Sequence, residues 1–185
     1  MQLGSLRQQV RVRKADGFAL IDLIFVCGII GLLASIAVPR MVLAKQAAGA
    51  ASAVGSMRSI SSAELTFALT CGSGFYAPNL STLGTAPGGS TEAFIGGGLG
   101  AADTVQRSGY QFQIVAAPYG GAPPSCNGLG GGTSSQGFVA FADPLETNNV
   151  RFFGINASSA LYEHTSTLSG DLPEVGEPTA GHLYR

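Results

Sequence analysis

The sequence is poor in charge and contains no tryptophan. Asp, Glu, Lys and Arg together make up 11% of the 185 residues, and ten basic side chains against eleven acidic ones leave a net charge of −1. Proteins that bind a phosphate backbone carry a basic patch or stripe, and none is present here. The sequence therefore predicts no nucleic-acid partner.

Motifs for catalysis and for cofactor binding are also absent. His164 and His182 have no cysteine or carboxylate at the spacing of a zinc site. The glycine runs at 96–98 and 130–132 lack the lysine and the strand–helix context of a phosphate-binding loop. No Gly-x-Ser-x-Gly motif occurs. We therefore predict that the protein is not an enzyme and needs no cofactor or metal.

One long apolar run is present near the N-terminus. From Phe18 to Val38 the only charged residue is Asp22, and Pro39 and Arg40 end the run. At about 1.5 Å per residue, a helix of this length crosses a hydrocarbon core of about 30 Å. Four basic residues precede this single predicted span and predict that its N-terminal end stays cytoplasmic: Arg7, Arg11, Arg13 and Lys14.

The position of the processing-like junction relative to the apolar run is informative. A secretory signal peptide places its cleavage site after a shorter apolar core. Here the only processing-like junction, Gly17–Phe18, precedes a full-length core, and an acid, Asp22, stands at the fifth position after it. Gly31 and Pro39 follow. In this register the first 65 or so residues resemble type IV pilins and the pseudopilins of type II secretion systems, although the family's acid is normally Glu and the 17-residue leader is long.

The resemblance implies a structural role. Residues 1–17 would be a leader that a prepilin peptidase removes after Gly17, and the same enzyme would methylate the new N-terminus at Phe18. An inner-membrane assembly platform would then polymerise the subunits, first held in membrane lipid, into a helical filament outside the cell. We expect a type IV pilus subunit. The alternatives are a pseudopilin in a periplasmic filament and, in another class, an uncleaved membrane-anchored binding or enzymatic domain.

Asp22 is the expected assembly residue together with Phe18. A lone carboxylate at the centre of a membrane helix costs roughly 2.5–3.5 kcal/mol, but Asp22 lies only one turn inside the run and can reach the headgroups. Paired with the Phe18 amine of a neighbouring subunit at 4 Å, it would gain about 4 kcal/mol before desolvation. The alternative is that Asp22 neutralises the amine of its own chain, four residues away. The resemblance favours pairing between subunits.

Two residues are expected to weaken the helix. Pro39 removes a backbone donor and clashes with the preceding turn, which predicts a kink or local unwinding. Gly31 weakens the same segment, and in filaments of this family helix can melt between these two positions. Gly28 and Gly31 also suit close helix packing in lipid.

From residue 18 onward the chain predicts an α+β, pilin-like fold, in which a long helix continues into a head. Residues 18–40 form the transmembrane and assembly helix, and residues 41–70 continue it as an amphipathic helix, for about 50 residues in all. An apolar stripe faces the head, with Val54, Met57, Leu65 and Ala68 at its centre. Residues 71–185 form an extracytoplasmic head with a four-stranded antiparallel sheet.

The four strands are predicted from short apolar or alternating segments. Tyr110, Phe112 and Ile114 alternate with glutamines. The others span 138–142, 152–155 and 161–165. Residues 71–108 and 117–136 are expected to be long loops, and residues 170–185 a loosely held tail.

The three cysteines divide into a pair and a single residue. Cys71 and Cys126 lie in the head, so an exported head would favour a disulfide between them. Such a bridge closes a loop of about 55 residues and could stabilise the head by roughly 4 kcal/mol. Cys27 lies in the apolar run, where we expect it to pack as a small apolar side chain.

A calcium site is a further alternative for the acids of the head. A related pseudopilin group binds calcium near its C-terminus. The spacing here matches no calcium-loop template, and a solvated surface is favoured for these five residues: Asp143, Glu146, Asp171, Glu174 and Glu177.

Overall fold

Residues 20–184 combine a long helix with an antiparallel sheet, as described in a computed structural model. The helices are α1 (Leu20–Thr70) and α2 (Leu80–Leu83). The strands are β1 (Thr104–Arg107), β2 (Tyr110–Val115), β3 (Val139–Pro144), β4 (Phe152–Asn156), β5 (Leu161–His164) and β6 (His182–Leu183). The chain divides into two units between Val42 and Leu43, and the second unit is the head.

In the head, α1 packs on the sheet along a stripe with helical spacing. Ala50, Met57 and Glu64 are seven residues apart and are all buried, which is the repeat of one face of a helix. The predicted core positions Val54, Met57 and Ala68 are buried. Leu65 was expected in the core but is 48% exposed, because its position lies on the flank of this stripe.

The sheet is a meander in which each strand pairs with the next. All neighbouring strands are antiparallel, in the order β1-β2-β3-β4-β5-β6. Phe112 of β2 is in register with Ala142 of β3, which is in register with Phe153 of β4. These side chains belong to one buried cluster with the α1 stripe. The predicted α+β arrangement, a long helix on an antiparallel sheet, is confirmed.

The prediction of four strands is wrong, because the sheet has six. The four predicted strands correspond to β2–β5. The sequence Thr-Val-Gln-Arg of β1 has no apolar alternation, and three of its four residues are exposed. The strand forms because Ser108 and Gly109 take positive φ values of 52° and 82°, as a tight hairpin turn requires. The other addition, β6, is only two residues long.

The expected loose tail is also a wrong prediction. After β5, residues 165–181, here called the C-terminal strap, cross the second face of the sheet before β6 pairs with β5. Leu168 and Leu172 are buried in a second cluster. Asn156 donates from Nδ2 to the carbonyl oxygens of Pro173 and Gly176, at 3.0 and 2.7 Å. The strap is therefore part of the fold.

The packing of the strap predicts a difference between two of its apolar residues. Leu168→Ala removes a fully buried side chain, and we expect it to lower the free energy of unfolding of the head by about 2–5 kcal/mol. Val175→Ala, at a position 68% exposed, is the matched control and should change little. Urea unfolding of the full chain in detergent, followed by tyrosine absorbance, measures both. Equal effects would show that the strap does not pack on the sheet.

Candidate functional site: the apolar half of α1

The first half of α1 presents an apolar surface to its surroundings. α1 is long and apolar enough to cross a membrane, and none of its most apolar 18-residue window is buried. Two other kinds of helix pass the same test of length and composition: the core helix of a soluble protein, which is mostly buried, and a signal sequence, which lies near the N-terminus. The exposed apolar side chains include Leu20, Ile21, Leu23, Ile24, Phe25, Ile30, Leu32, Leu33, Ile36, Met41 and Leu43. This surface is consistent with membrane anchoring.

Of the predicted assembly residues, Asp22 lies in the first turn of α1. It is exposed and makes no ion pair with any residue in the range 20–184. Gly17 and Phe18 lie outside the described residues, so the predicted cleavage, methylation and pairing with Asp22 stay predictions.

The predicted weak segment is helical throughout. α1 continues through Gly31 and Pro39 without interruption. A Cβ atom added at Gly28 or Gly31 would meet no atom within 4 Å. The two glycines leave open surface at which another helix could approach closely. The kink or melting expected near Pro39 stays a prediction.

The expected disulfide is present and joins the end of α1 to a distant loop. Cys71 follows the last residue of α1 and is bonded to Cys126, 55 residues later. Beside it, Tyr76 and Ser135 exchange backbone hydrogen bonds of 2.8 and 3.1 Å. The loop around Cys126 is thereby fixed to the segment that follows α1, as predicted.

Sequence reasoning missed a buried carboxyl group close to this junction. Glu64 is fully buried, and its Oε2 accepts a 2.9 Å hydrogen bond from the backbone N–H of Ala77. Its Oε1 has no hydrogen-bond partner among the described residues. Burial raises the pKa of Glu64 to about 8, and the bond from Ala77 offsets only part of that rise. The carboxyl group is therefore protonated at neutral pH. The sequence signal for its burial was the position of Glu64 seven residues after Met57, on the same face of the helix.

Glu64 makes the stability of the head dependent on pH. The pKa rises from 4.5 to about 8 on folding, so the folded state holds the proton more tightly. The free energy of unfolding should be highest below about pH 4.5 and should fall as the pH rises through 8, by a few kcal/mol in all.

Glu64→Gln should remove this dependence, because a neutral amide can accept the same bond from Ala77. Urea unfolding between pH 5 and 9 in detergent measures it. Glu146→Gln, at an exposed ion pair, is the control and should leave the slope unchanged. A slope that survives in Glu64→Gln would assign the pH dependence to another group.

Among the described residues, the remaining candidate groups of the head do not form a cluster. His182 is in register with Glu163, whose carboxylate already pairs with Arg151. Burial raises the pKa of Asp143, which accepts hydrogen bonds from Thr167. Over residues 20–184, no three His, Cys, Asp or Glu side chains are grouped to hold a metal ion. The acids considered for calcium are thus spread over the head.

Comparisons of the chain with known protein families, with curated proteins and with solved structures give no match. The function is therefore argued from the residues themselves.

Proposed function

We propose that this protein is a structural subunit of a type IV pilus. It is made as a prepilin in the inner membrane, cleaved after Gly17, methylated at Phe18 and polymerised through α1 into an extracellular filament. The observation that carries the proposal is the exposed apolar half of α1, directly preceded by a Gly17–Phe18 junction and a basic leader.

The exposed helix gives a physical reason to polymerise. Apolar side chains over more than six turns are unstable in water, at about 25 cal/mol for each Å² exposed. Lipid covers them in the precursor, and copies of the same helix cover them in a filament. A contact between two different surfaces of identical subunits builds an open helical fibre when its rotation does not close into a ring.

Cleavage supplies the group that would orient the helices. The leader carries four basic residues and Asp16, a balance of +3. Its removal leaves one positive amine at Phe18, four residues before Asp22. In the apolar interior of a filament an unpaired carboxylate would be costly. A subunit would therefore pack at the position where its Asp22 carboxylate meets the Phe18 amine of a neighbouring subunit.

The exposure of Asp22 fits such a pairing. Its carboxylate has no counter-charge among residues 20–184, and the glycines at 28 and 31 leave surface for a second helix. A pilin-like head on the rest of α1, held by the disulfide, would form the outer surface of the filament. A pseudopilin would use the same helix contacts in a shorter periplasmic fibre.

Processing and assembly can be tested together in cells that carry the assembly machinery. We expect mass spectrometry of the mature protein to find an N-terminus at Phe18 with one added methyl group. Electron microscopy of material sheared from the cell surface should show filaments of this subunit. Full precursor mass and no polymer would contradict the proposal and favour an uncleaved anchor. Methylated protein without surface filaments would favour a pseudopilin.

Asp22 should be necessary for assembly. We expect Asp22→Ala to reduce the filament yield by about tenfold or more, since about 1.4 kcal/mol of lost pairing per contact suffices for that factor. Asp22→Glu keeps the charge and should retain filaments. Glu92→Ala, at an exposed acid of the head, is the control and should have no effect. A normal yield from Asp22→Ala would remove the proposed role of this residue.

A further inference from the structure

The head has a polar groove between α1 and the segment before β1. Its volume is about 780 Å³. Arg58 and the hydroxyl side chains Ser59, Ser62 and Thr66 of α1 line one side, and Phe94 and Arg107 contribute to the other. No acidic side chain from the described part of the chain lines it. The groove therefore has an excess of positive charge.

The two arginines of this groove are the unmatched Lys and Arg side chains between residues 43 and 184. Of the four Lys and Arg residues between 43 and 184, Lys45 pairs with Glu146 and Arg151 pairs with Glu163. Arg58 and Arg107 make no ion pair with a described residue, and both are exposed. Arg107 donates only to the backbone oxygen of Gly97, at 3.3 Å.

The wall of the groove opposite α1 is firmly held. The buried Ile95 donates its backbone N–H to Leu83 of α2 at 3.2 Å. The backbones of Gly84 and Gly100 approach so closely that a Cβ atom on either would clash with the other. The groove is thus formed before any partner arrives.

Unmatched negative charge is found on the C-terminal strap. Glu174 turns its carboxylate inward and accepts a 2.8 Å bond from the backbone N–H of Ala117. Asp171 and Glu177, on either side of it, are exposed, and their side chains bond to no described residue. Within residues 43–184, Glu92 is the other such exposed acid, and it lies two residues before Phe94 of the groove wall.

The groove and the strap lie on opposite sides of the sheet. Alternate residues of a strand point to opposite faces. Ala140 and Ala142 of β3 pack in the cluster with α1, whereas Val139 and Phe141 pack in the cluster with the strap. The strap of one head therefore cannot reach the groove of the same head.

We infer that the Arg58–Arg107 groove binds the C-terminal strap of a second copy of this chain, with Asp171 and Glu177 as the counter-charges. The contact joins different surfaces of two copies, so it is heterologous, which is the type of contact that an open helical filament requires. Pairing of complementary charges at such a contact fixes register and suppresses wrong partners. The inference rests on the proposed filament and adds a contact between heads to that of the helices.

Zero-length cross-linking tests this contact directly. Arg58→Lys and Arg107→Lys keep the charge and supply an amine that a carbodiimide joins to a nearby carboxylate. Sheared filaments are treated and digested for mass spectrometry, as is the full chain concentrated in detergent. Lys45 and Glu146, 3.2 Å apart, provide an internal positive control. We expect a link from residue 58 or 107 to Asp171 or Glu177.

Such a link joins two copies, because the two surfaces lie on opposite sides of one head. If the Lys45–Glu146 link forms in both preparations and no link to the strap appears, the inference is overturned. A link to Glu92 alone would likewise overturn it, since this acid adjoins the groove of its own chain.

Charge reversal provides the second test. Arg58→Glu with Arg107→Glu, and separately Asp171→Lys with Glu177→Lys, should each reduce the filament yield by about tenfold. All four changes together should restore it. Lys45→Glu with Glu146→Lys reverses an ion pair within one head and is the matched control. Full yield from both reversed pairs would reject the contact between heads, while filaments and methylated Phe18 in the same cells would leave the proposed function intact.

Discussion

The exposed apolar surface of α1 is the constraint on which the structure depends. A helix of 51 residues buries its side chains against the head only in its second half, from Ala50 onward. None of the most apolar 18-residue window of α1 is buried. Burial of such a surface is the largest favourable contribution available to this chain outside the head. An exposed apolar surface of this kind is consistent with membrane anchoring.

The head must hold the second half of α1 with few polar interactions. Its main core joins the helix stripe to β2, β3 and β4. The disulfide joins the end of α1 to the loop around Cys126. Glu64 is buried beneath the segment that follows α1. Because it remains protonated, it places no charge in the core. A neutral carboxyl group can be buried with one hydrogen bond at far lower cost than a charged one. The junction is therefore held by the disulfide, by apolar contacts and by a few hydrogen bonds.

Sequence reasoning succeeded where one residue pattern decides the structure. The alternation of Tyr110, Phe112 and Ile114 predicted β2, and the helical spacing of Val54 and Met57 predicted the buried face of α1. It failed where burial depends on distant segments. The strap holds Leu168 and Leu172 between polar residues, so its role is visible only once the second face of β3 is known. Glu64 was missed because its charge in the sequence suggested a solvated position.

The low content of charge makes each unmatched charge informative. In a highly charged protein, two arginines without partners would be ordinary surface residues. Here the head has four described cations, two are paired within it, and the other two line one groove. The strap carries the opposite charge. Its middle acid, Glu174, accepts a hydrogen bond within the head, whereas Asp171 and Glu177 are exposed. Apolar burial is non-directional, so it can supply the energy of assembly without defining a register. A few fixed charges, at Asp22 on the helix and at the groove and strap on the head, can define that register.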